Sequence, residues 1–168
     1  EGAVLGAHAT VGRGASLRAK VWPGRRVEAG ETLSADRKKG HPGWASFGEQ
    51  GLCGEIGVEI TPEFCARFGA AVATATKGEP VALCGGDFPG GEPLLDALAS
   101  GLRSAGSDVA DFGKGVLGFL SYGMQFCALS WGVYLGGGKG VSLRLVTSGG
   151  LPATRPMERS VEKALTGE

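Results

Sequence analysis

The chain has 168 residues and carries 17 basic and 17 acidic side chains, so its formal net charge is +0. A protein that binds nucleic acid needs a basic surface to displace counterions, and this charge balance argues against nucleic acid as a partner. Hydrophobic residues make up 42% of the chain, enough for a packed core, and the 32 glycines indicate many turns.

A six-residue apolar period runs through residues 1–34. The apolar positions are Leu5, Val11 and Leu17, followed by Val21, Val27 and Leu33. Glycines fall between them, and this combination is typical of a left-handed parallel β-helix, in which each hexad forms one side of a triangular coil. About two coils are present, whereas such stacks need about three to be stable. We therefore expect this segment to be stabilised by contacts with further coils, with another subunit or with the next domain.

A polar, basic segment follows at residues 35–46, and its glycines and proline predict a linker. The chain starts at Glu1, inside the repeat, so the sequence predicts a fragment of a larger polypeptide. The predicted domains are therefore a β-helix edge at 1–34, a linker at 35–46 and an α/β domain at 47–168.

The α/β domain opens with a glycine-rich segment and a short predicted strand at 58–60. Thr61 is a good N-cap for the next helix because Pro62 suits its first turn, and Gly78 ends it. A strand at 80–84 then leads through a glycine-rich turn into a helix. Leucines at positions 94, 98 and 102 form its apolar stripe, and Gly106 suits the left-handed residue that follows.

The same alternation continues to the end of the chain. Predicted strands at 108–112, 131–135 and 141–147 are interleaved with a helix at 118–130, a tight loop at 136–140 and a last helix at 156–165. In the 118–130 helix the predicted stripe is Phe119, Tyr122, Phe126 and Leu129. The alternation predicts a three-layer αβα sandwich with a mostly parallel sheet, preceded by the short β-helix.

Two further features concern the environment of the protein. No charged residue lies between Lys114 and Lys139, a stretch long enough for a membrane span, but its glycines and its division into helix and strand favour a buried helix and strand. The cysteines, Cys53, Cys65, Cys84 and Cys127, form no CxxC pair. They are predicted to be reduced core thiols of a cytoplasmic protein without a membrane partner.

Several segments of the α/β domain resemble a known family. The segment at 47–54 is similar to the opening FG-x-x-G-x-x-G motif of the α-D-phosphohexomutases, the phosphoglucomutase and phosphomannomutase group. The ITPEF segment at 60–64, Gly69, the strand and GGD turn at 81–87, and the segments 101–106 and 108–113 follow the first domain of that family in order. With the hexapeptide coil and the VWPG segment at 21–24, the chain resembles a fusion in which a mannose-1-phosphate guanylyltransferase-type nucleotidyltransferase continues through a β-helix into a mutase-like region.

The resemblance also marks departures from the family pattern. An active member carries its phosphoryl group on a serine in a loop reading roughly T-A-S-H-N-P, whereas the matching loop here reads GGGKG. Cys53 and Pro89 stand where the family often has arginine. Ser142 follows the loop but lies in the predicted returning strand, while Arg144 matches a basic position of the family. These departures predict no catalytic residue and a structural or regulatory role in sugar-nucleotide biosynthesis.

The resemblance also bears on ligands and partners. The phosphate-binding candidates are Gly137, Gly138, Lys139 and Arg144, since a lysine among backbone N–H groups can form an anion nest. No cofactor or metal site is predicted, because Mg²⁺ is expected only in a complete, active family member. The predicted partners are the rest of the polypeptide, other subunits, a phosphosugar, or further copies joined through the β-helix.

Two alternatives to a structural role remain open. One is a phosphosugar- or nucleotide-binding module, for which the turn at 85–91 and Asp111 superficially resemble a dinucleotide fold without its G-x-G-x-x-G spacing. The other is one part of an active mutase that missing domains complete.

Overall fold

The structure is a computed structural model. It describes residues 4–5, 10–11, 13, 16–17, 20–21, 26–27, 32–33, 47–48, 51–138 and 140–167. The chain divides into two compact units, Glu1–Pro42 and Gly43–Glu168.

The first unit contains short strands of two residues each, which pair in parallel. They are β1 (Val4–Leu5), β2 (Thr10–Val11), β3 (Ser16–Leu17), β4 (Lys20–Val21), β5 (Arg26–Val27) and β6 (Thr32–Leu33). Strand β1 pairs with β4, β2 with β5 and β3 with β6, and each pair joins residues sixteen positions apart in sequence. The predicted linker at 35–46 lies outside the described residues.

The second unit contains the remaining described strands and the helices. In chain order they are β7 (Phe47–Gly48), β8 (Gly51–Gly54), α1 (Pro62–Ala75), β9 (Val81–Gly85), α2 (Gly91–Ser104), β10 (Val109–Lys114), α3 (Leu117–Phe126), β11 (Trp131–Gly137), β12 (Val141–Thr147), β13 (Leu151–Pro152) and α4 (Arg155–Thr166). The predicted strand at 58–60 is wrong, because those residues form a turn closed by an isolated bridge between Ile56 and Ile60.

The strands of this unit form one sheet in the order β10-β9-β11-β12-β8-β7, with β13 beside β12. Strands β10, β9 and β11 are parallel, and the other pairings among the described strands of this sheet are antiparallel. The expectation of a mostly parallel sheet is therefore corrected to a mixed sheet. The reason is that the tight loop after β11 leads straight into β12, which therefore pairs with β11 in the antiparallel direction. The β7–β8 hairpin pairs with β12 and continues the antiparallel part of the sheet.

Helices cover both faces of the sheet. On one face α1, α2 and α4 surround the larger core, which includes Phe68, Leu83, Leu98, Leu135 and Leu143, all fully buried. On the other face α3 covers a smaller cluster built from Ala82, Cys84, Leu120, Met124 and Val146. This arrangement places the carboxyl ends of β9, β10 and β11 at one edge, where the loops to α2 and α3 leave toward opposite faces.

Helices α1 and α2 pack unusually closely. Thr61 caps α1 as predicted, with its Oγ1 accepting the Phe64 N–H at 3.2 Å. A Cβ atom added at Gly101 of α2 would collide with the backbone carbonyl of Ala66, and one at Gly69 of α1 would collide with the carbonyl of Leu98. The two glycines therefore let the helix backbones touch, closer than ordinary side-chain packing allows.

Helix α3 differs from its prediction in length and in orientation. It ends at Phe126, because the chain turns through a positive φ of 53° at Ala128. Its buried side is Leu120, Gly123 and Met124, while Phe119, Tyr122 and Phe126 of the predicted stripe are 47%, 68% and 82% exposed. Among the described residues, no helix has the length and apolar character needed to cross a bilayer.

Strand β10 lies at the edge of the described sheet and is irregular. Its register against β9 shifts between Asp111 and Lys114. Gly113 in this segment has a φ of 67°, and its N–H donates to Asp111 Oδ1 at 2.8 Å. The edge strand thus contains a bulge whose amide is bonded within its own strand.

The four thiols fall into two environments. Cys65 and Cys84 are buried as predicted, but Cys53 and Cys127 are exposed, so the expectation of four core thiols is wrong for these two. Burial raises the pKa of the Cys65 thiol to about 12, which suppresses the reactive thiolate.

We expect a thiol reagent at neutral pH to modify two cysteines of the native protein rapidly and the other two only after unfolding. Intact-mass spectrometry counts the added groups against time. The double variant Cys53→Ser/Cys127→Ser is the control and should remain unmodified under native conditions. Rapid modification of a third or fourth site would contradict the burial of Cys65 and Cys84.

Candidate functional site

The site is built where the order of the parallel strands reverses. The chain passes from β9 to its neighbour β10 on one side and then crosses to β11 on the other side, with α2 and α3 on opposite faces. The loops after β9 and β10 lead to α2 and α3 and therefore diverge, and in open α/β sheets this divergence leaves a crevice outside the carboxyl ends of the strands.

One cleft at this edge, which we call the switch-point cleft, has a volume of about 600 Å³. It is lined by Gly86, Asp87, Phe88, Lys114, Gly115, Val116, Tyr134, Gly137 and Gly138. Three hydrogen bonds fix its floor. The Gly86 N–H donates to the Leu135 carbonyl at 2.8 Å, the Gly115 N–H to the Gly85 carbonyl at 2.8 Å, and the Tyr134 hydroxyl to the Gly115 carbonyl at 3.2 Å.

The lysine of the switch-point cleft is already paired. Lys114 Nζ lies 3.5 Å from Asp87 Oδ1 and 3.7 Å from Glu92 Oε2. All three side chains are more than half exposed, so solvent screens these pairs and they contribute little to stability. With two carboxylates around one ammonium group, this cleft offers little attraction to an anion.

The second cleft, which we call the arginine cleft, has a volume of about 540 Å³ and lies over β8 and β12. Its lining is Cys53, Gly54, Glu55, Gly137, Gly138, Gly140, Val141, Ser142 and Arg144. Three of the four residues predicted to bind phosphate are therefore brought together here, namely Gly137, Gly138 and Arg144. The fourth, Lys139, lies outside the described residues.

Arg144 is the best-defined binding group of the arginine cleft. It is half-buried in β12, where it pairs with Tyr134 of β11. Its Nε atom is buried and has no hydrogen-bond acceptor among the described residues. A buried donor without a partner costs about 1–3 kcal/mol, and an atom without accessible surface admits no water in this conformation. An anion in the arginine cleft would therefore be bound by the part of this half-buried side chain that lines the cleft.

The Tyr134 hydroxyl and the Cys84 thiol stay uncharged near neutral pH. Burial is the main cause that raises the pKa of the Tyr134 hydroxyl, and the Cys84 thiol raises it further, whereas Arg144 lowers it. Burial, and then the charge of Asp111, raise the pKa of Cys84. Tyr134 is therefore a hydrogen-bond donor at this edge and not an anion.

The end of β11 borders both clefts and has no room for larger side chains. A Cβ atom at Gly137 would collide with the ring of Phe88, and one at Gly136 would lie 2.8 Å from Ser142 Oγ. The sequence of residues 136–140 contains no hydroxyl group. Ser142 lies in β12, as predicted, and is half-buried at the wall of the arginine cleft.

Asp111 lies away from both clefts, whereas Phe88 and Tyr134 lie in the switch-point cleft. Asp111, considered for a dinucleotide site, lines neither cleft and instead bonds to Gly113 within the bulge. Phe88 lines the switch-point cleft and belongs to the turn at 85–91 that was considered for a dinucleotide site. Tyr134 also lines this cleft but was not predicted, because the sequence does not show which face of its strand borders a cleft. Within the described residues, no group of three or more His, Cys, Asp or Glu side chains lies close enough together to hold a metal ion.

The comparisons with known proteins agree on one family. Residues 45–168 match the family described as phosphoglucomutase/phosphomannomutase, alpha/beta/alpha domain I. A phosphoglucomutase/phosphomannomutase of Thermococcus kodakarensis is 44% identical over 75 residues, which are 42% of this chain and 16% of that protein. A phosphoglucosamine mutase of Leptothrix cholodnii is 39% identical over 94 residues, which are 53% of this chain and 21% of that protein.

Solved structures show the same fold at low sequence identity. A candidate phosphomannomutase from Thermus thermophilus superposes with a TM-score of 0.65 at 19% identity, over 72% of this chain and 30% of that one. A phosphoglucomutase/phosphomannomutase family protein from Burkholderia thailandensis gives 0.61 at 20% identity over the same shares. The chain spans about a fifth of the length of the curated relatives that it matches. It belongs to the phosphoglucomutase/phosphomannomutase family, and residues 45–168 form the α/β/α domain I of that family.

Proposed function

We propose that this domain binds a phosphorylated hexose in the arginine cleft without transferring its phosphoryl group, and that it serves a regulatory or structural role in sugar-phosphate metabolism. The observation that carries the proposal is that Arg144, whose Nε has no partner among the described residues, lines the arginine cleft beside a loop that has no nucleophilic hydroxyl. Two relatives are named for mutases that act on phosphorylated sugars, which supports a hexose phosphate as the ligand class.

The chemistry of the arginine cleft supports binding. A guanidinium group binds phosphate through charge-assisted, often bidentate hydrogen bonds, and burial strengthens them. The cleft is large enough for a hexose phosphate, since small-molecule sites are typically about 300–1,000 Å³. The backbone of Gly137 and Gly138 borders the same space and brings further polar groups toward it.

The same geometry speaks against phosphoryl transfer. Transfer through a phosphoenzyme requires an exposed nucleophile at the loop and charge neutralisation around the transferred group. Ser142 supplies a hydroxyl to the arginine cleft, but its Oγ lies so close to the Gly136 backbone that a Cβ there would be only 2.8 Å away. For the alternative, an active mutase completed by further domains, Ser142 is this chain's candidate nucleophile, because it brings a hydroxyl to the arginine cleft.

We also propose that residues 1–34 are the edge of a left-handed β-helix belonging to a guanylyltransferase-type fusion. The three parallel strand pairs described in this segment support a coiled repeat, because residues one coil apart come to lie side by side. In such a fusion the mutase-like domain would assist the assembly or regulation of the nucleotidyltransferase.

The test combines binding with phosphorylation. On incubation with a hexose bisphosphate and Mg²⁺, we expect intact-mass spectrometry to detect no stoichiometric phosphoprotein. Calorimetry should detect binding of a hexose monophosphate and none of the unphosphorylated hexose. A stoichiometric phosphoprotein that disappears in the Ser142→Ala variant would overturn the non-catalytic proposal in favour of an active mutase.

A further inference from the structure

We infer that the two clefts form one continuous site for a ligand with a single phosphate group, and that the acidic side chains of the switch-point cleft exclude a second phosphate. The inference rests on the proposed function, in which Arg144 binds the phosphate of a phosphorylated hexose. It adds a position for the sugar ring, in the switch-point cleft, and a preference for monophosphates over bisphosphates.

The backbone at the end of β11 joins the two clefts. Gly137 and Gly138 line both of them, so the clefts meet at these two residues. A Cβ atom at Gly138 would meet nothing within 4 Å, which shows that the space beside this glycine is open. A ligand whose phosphate lies at Arg144 therefore has room to extend past the glycines into the switch-point cleft.

The uncharged groups of the switch-point cleft fit a sugar ring. The Tyr134 hydroxyl donates to the Gly115 carbonyl at 3.2 Å, and a hydroxyl that donates one bond still has lone pairs that accept another, here from a sugar hydroxyl. The half-buried ring of Phe88 adds an apolar surface to the same cleft. Aromatic surface with a few placed polar groups is the usual lining of a small-molecule site.

The charged groups at this edge leave Arg144 as the place for a phosphate. The other charged side chains that line the two clefts, within the described residues, are Glu55, Asp87 and Lys114. Lys114 Nζ lies 3.5 Å from Asp87 and 3.7 Å from Glu92, so one positive charge faces two negative ones. A second phosphate in the switch-point cleft would meet an excess of negative charge, and such like-charge contacts are a common means of rejecting a competing ligand.

The exposure of the two carboxylates sets the size of the effect. The side chains of Asp87 and Glu92 are 85% and 73% exposed, so solvent screens their charges. We therefore expect the monophosphate to bind about tenfold more tightly than the bisphosphate at low salt. The difference should shrink as salt is added, because the screening length falls from about 10 Å at 0.1 M to about 3 Å at 1 M.

Calorimetry with glucose-6-phosphate and glucose-1,6-bisphosphate tests the inference on the full chain. The double variant Asp87→Asn/Glu92→Gln removes both carboxylates from Lys114 and should shift the ratio of the two affinities about tenfold towards the bisphosphate. Val116→Lys adds a cation at a 68% exposed position of the same cleft and should shift the ratio in the same direction. The matched control, Val58→Lys, adds the same charge at a 70% exposed position that lines neither cleft and should leave the ratio unchanged.

The outcomes separate this inference from the proposed function. Monophosphate binding that Arg144→Met weakens, with a ratio that neither the double variant nor Val116→Lys changes, overturns the inference and leaves the proposed function standing. An equal shift in Val58→Lys also overturns it, because the overall charge of the chain would then decide the ratio. Equal or tighter binding of the bisphosphate by the parent chain overturns it too, and loss of that binding in Lys139→Met would assign the second phosphate to the loop after β11. Binding of neither sugar phosphate overturns the proposed function and this inference with it.

Discussion

Replacing Gly101 with alanine should destabilise the α/β domain by about 2–3 kcal/mol, although alanine is the better helix former. The new Cβ atom would collide with the carbonyl of Ala66 across the α1–α2 contact, and a backbone atom cannot move aside by changing rotamer. The helices must then separate and loosen the core around Leu98 and Phe68. Urea unfolding followed by circular dichroism measures the loss, and the melting temperature should fall by roughly 5–10 °C.

The matched control for this prediction is Gly118→Ala in α3. A Cβ atom at Gly118 meets nothing within 4 Å, so the same chemical change should be neutral or stabilise the domain by up to about 1 kcal/mol. Equal effects of the two substitutions would show that the close approach of α1 and α2 does not limit stability.

Replacing Arg144 with methionine should weaken binding of a hexose monophosphate about 10- to 100-fold, because charge-assisted hydrogen bonds are worth about 1.5–3 kcal/mol. The free protein should be as stable as the parent or more stable, since the change removes a buried Nε that has no partner among the described residues. Calorimetry and urea unfolding measure the two effects separately. Arg144→Lys should bind with intermediate affinity, because lysine keeps the charge but not the planar fork.

Two further measurements identify the cause of any lost binding. Lys114→Met removes the exposed, ion-paired cation of the switch-point cleft and should leave the affinity unchanged. Spectrophotometric titration should show that the pKa of Tyr134 rises further in Arg144→Met, because the guanidinium lowers it in the parent chain. If Arg144→Met raises the pKa of Tyr134 and keeps full affinity, the ligand does not bind at the arginine cleft.

Local patterns predicted the elements whose ends are set by single residues. Thr61 and Pro62 begin α1, and Gly106 follows α2 with a φ of 91°, because these positions depend on cap chemistry within a few residues. The residues of α3 offered no such guidance about its orientation. Both of its sides are apolar, so periodicity alone could not distinguish the side with Leu120 and Met124 from the side with Phe119 and Phe126.

The sequence identified which residues belong to the candidate site, but not how deeply their atoms are buried. Gly137, Gly138 and Arg144 could be selected because a family resemblance and a glycine-rich loop mark them. The burial of Arg144 Nε depends on β12 lying between β11 and β8, a pairing of segments about ninety residues apart in sequence. The division into two clefts depends likewise on Phe88 lying against Gly137, which no local pattern encodes.

The bulge in β10 bears on how the domain avoids uncontrolled aggregation. A straight edge strand offers a free ladder of amides on which a foreign strand can grow into a continuous sheet. Here the amide of Gly113 is already taken by Asp111, and the strand bends at that point, so an incoming strand would lose both a bond and its alignment. Addition of a foreign strand at the β10 edge, and with it growth into a fibril, is therefore disfavoured.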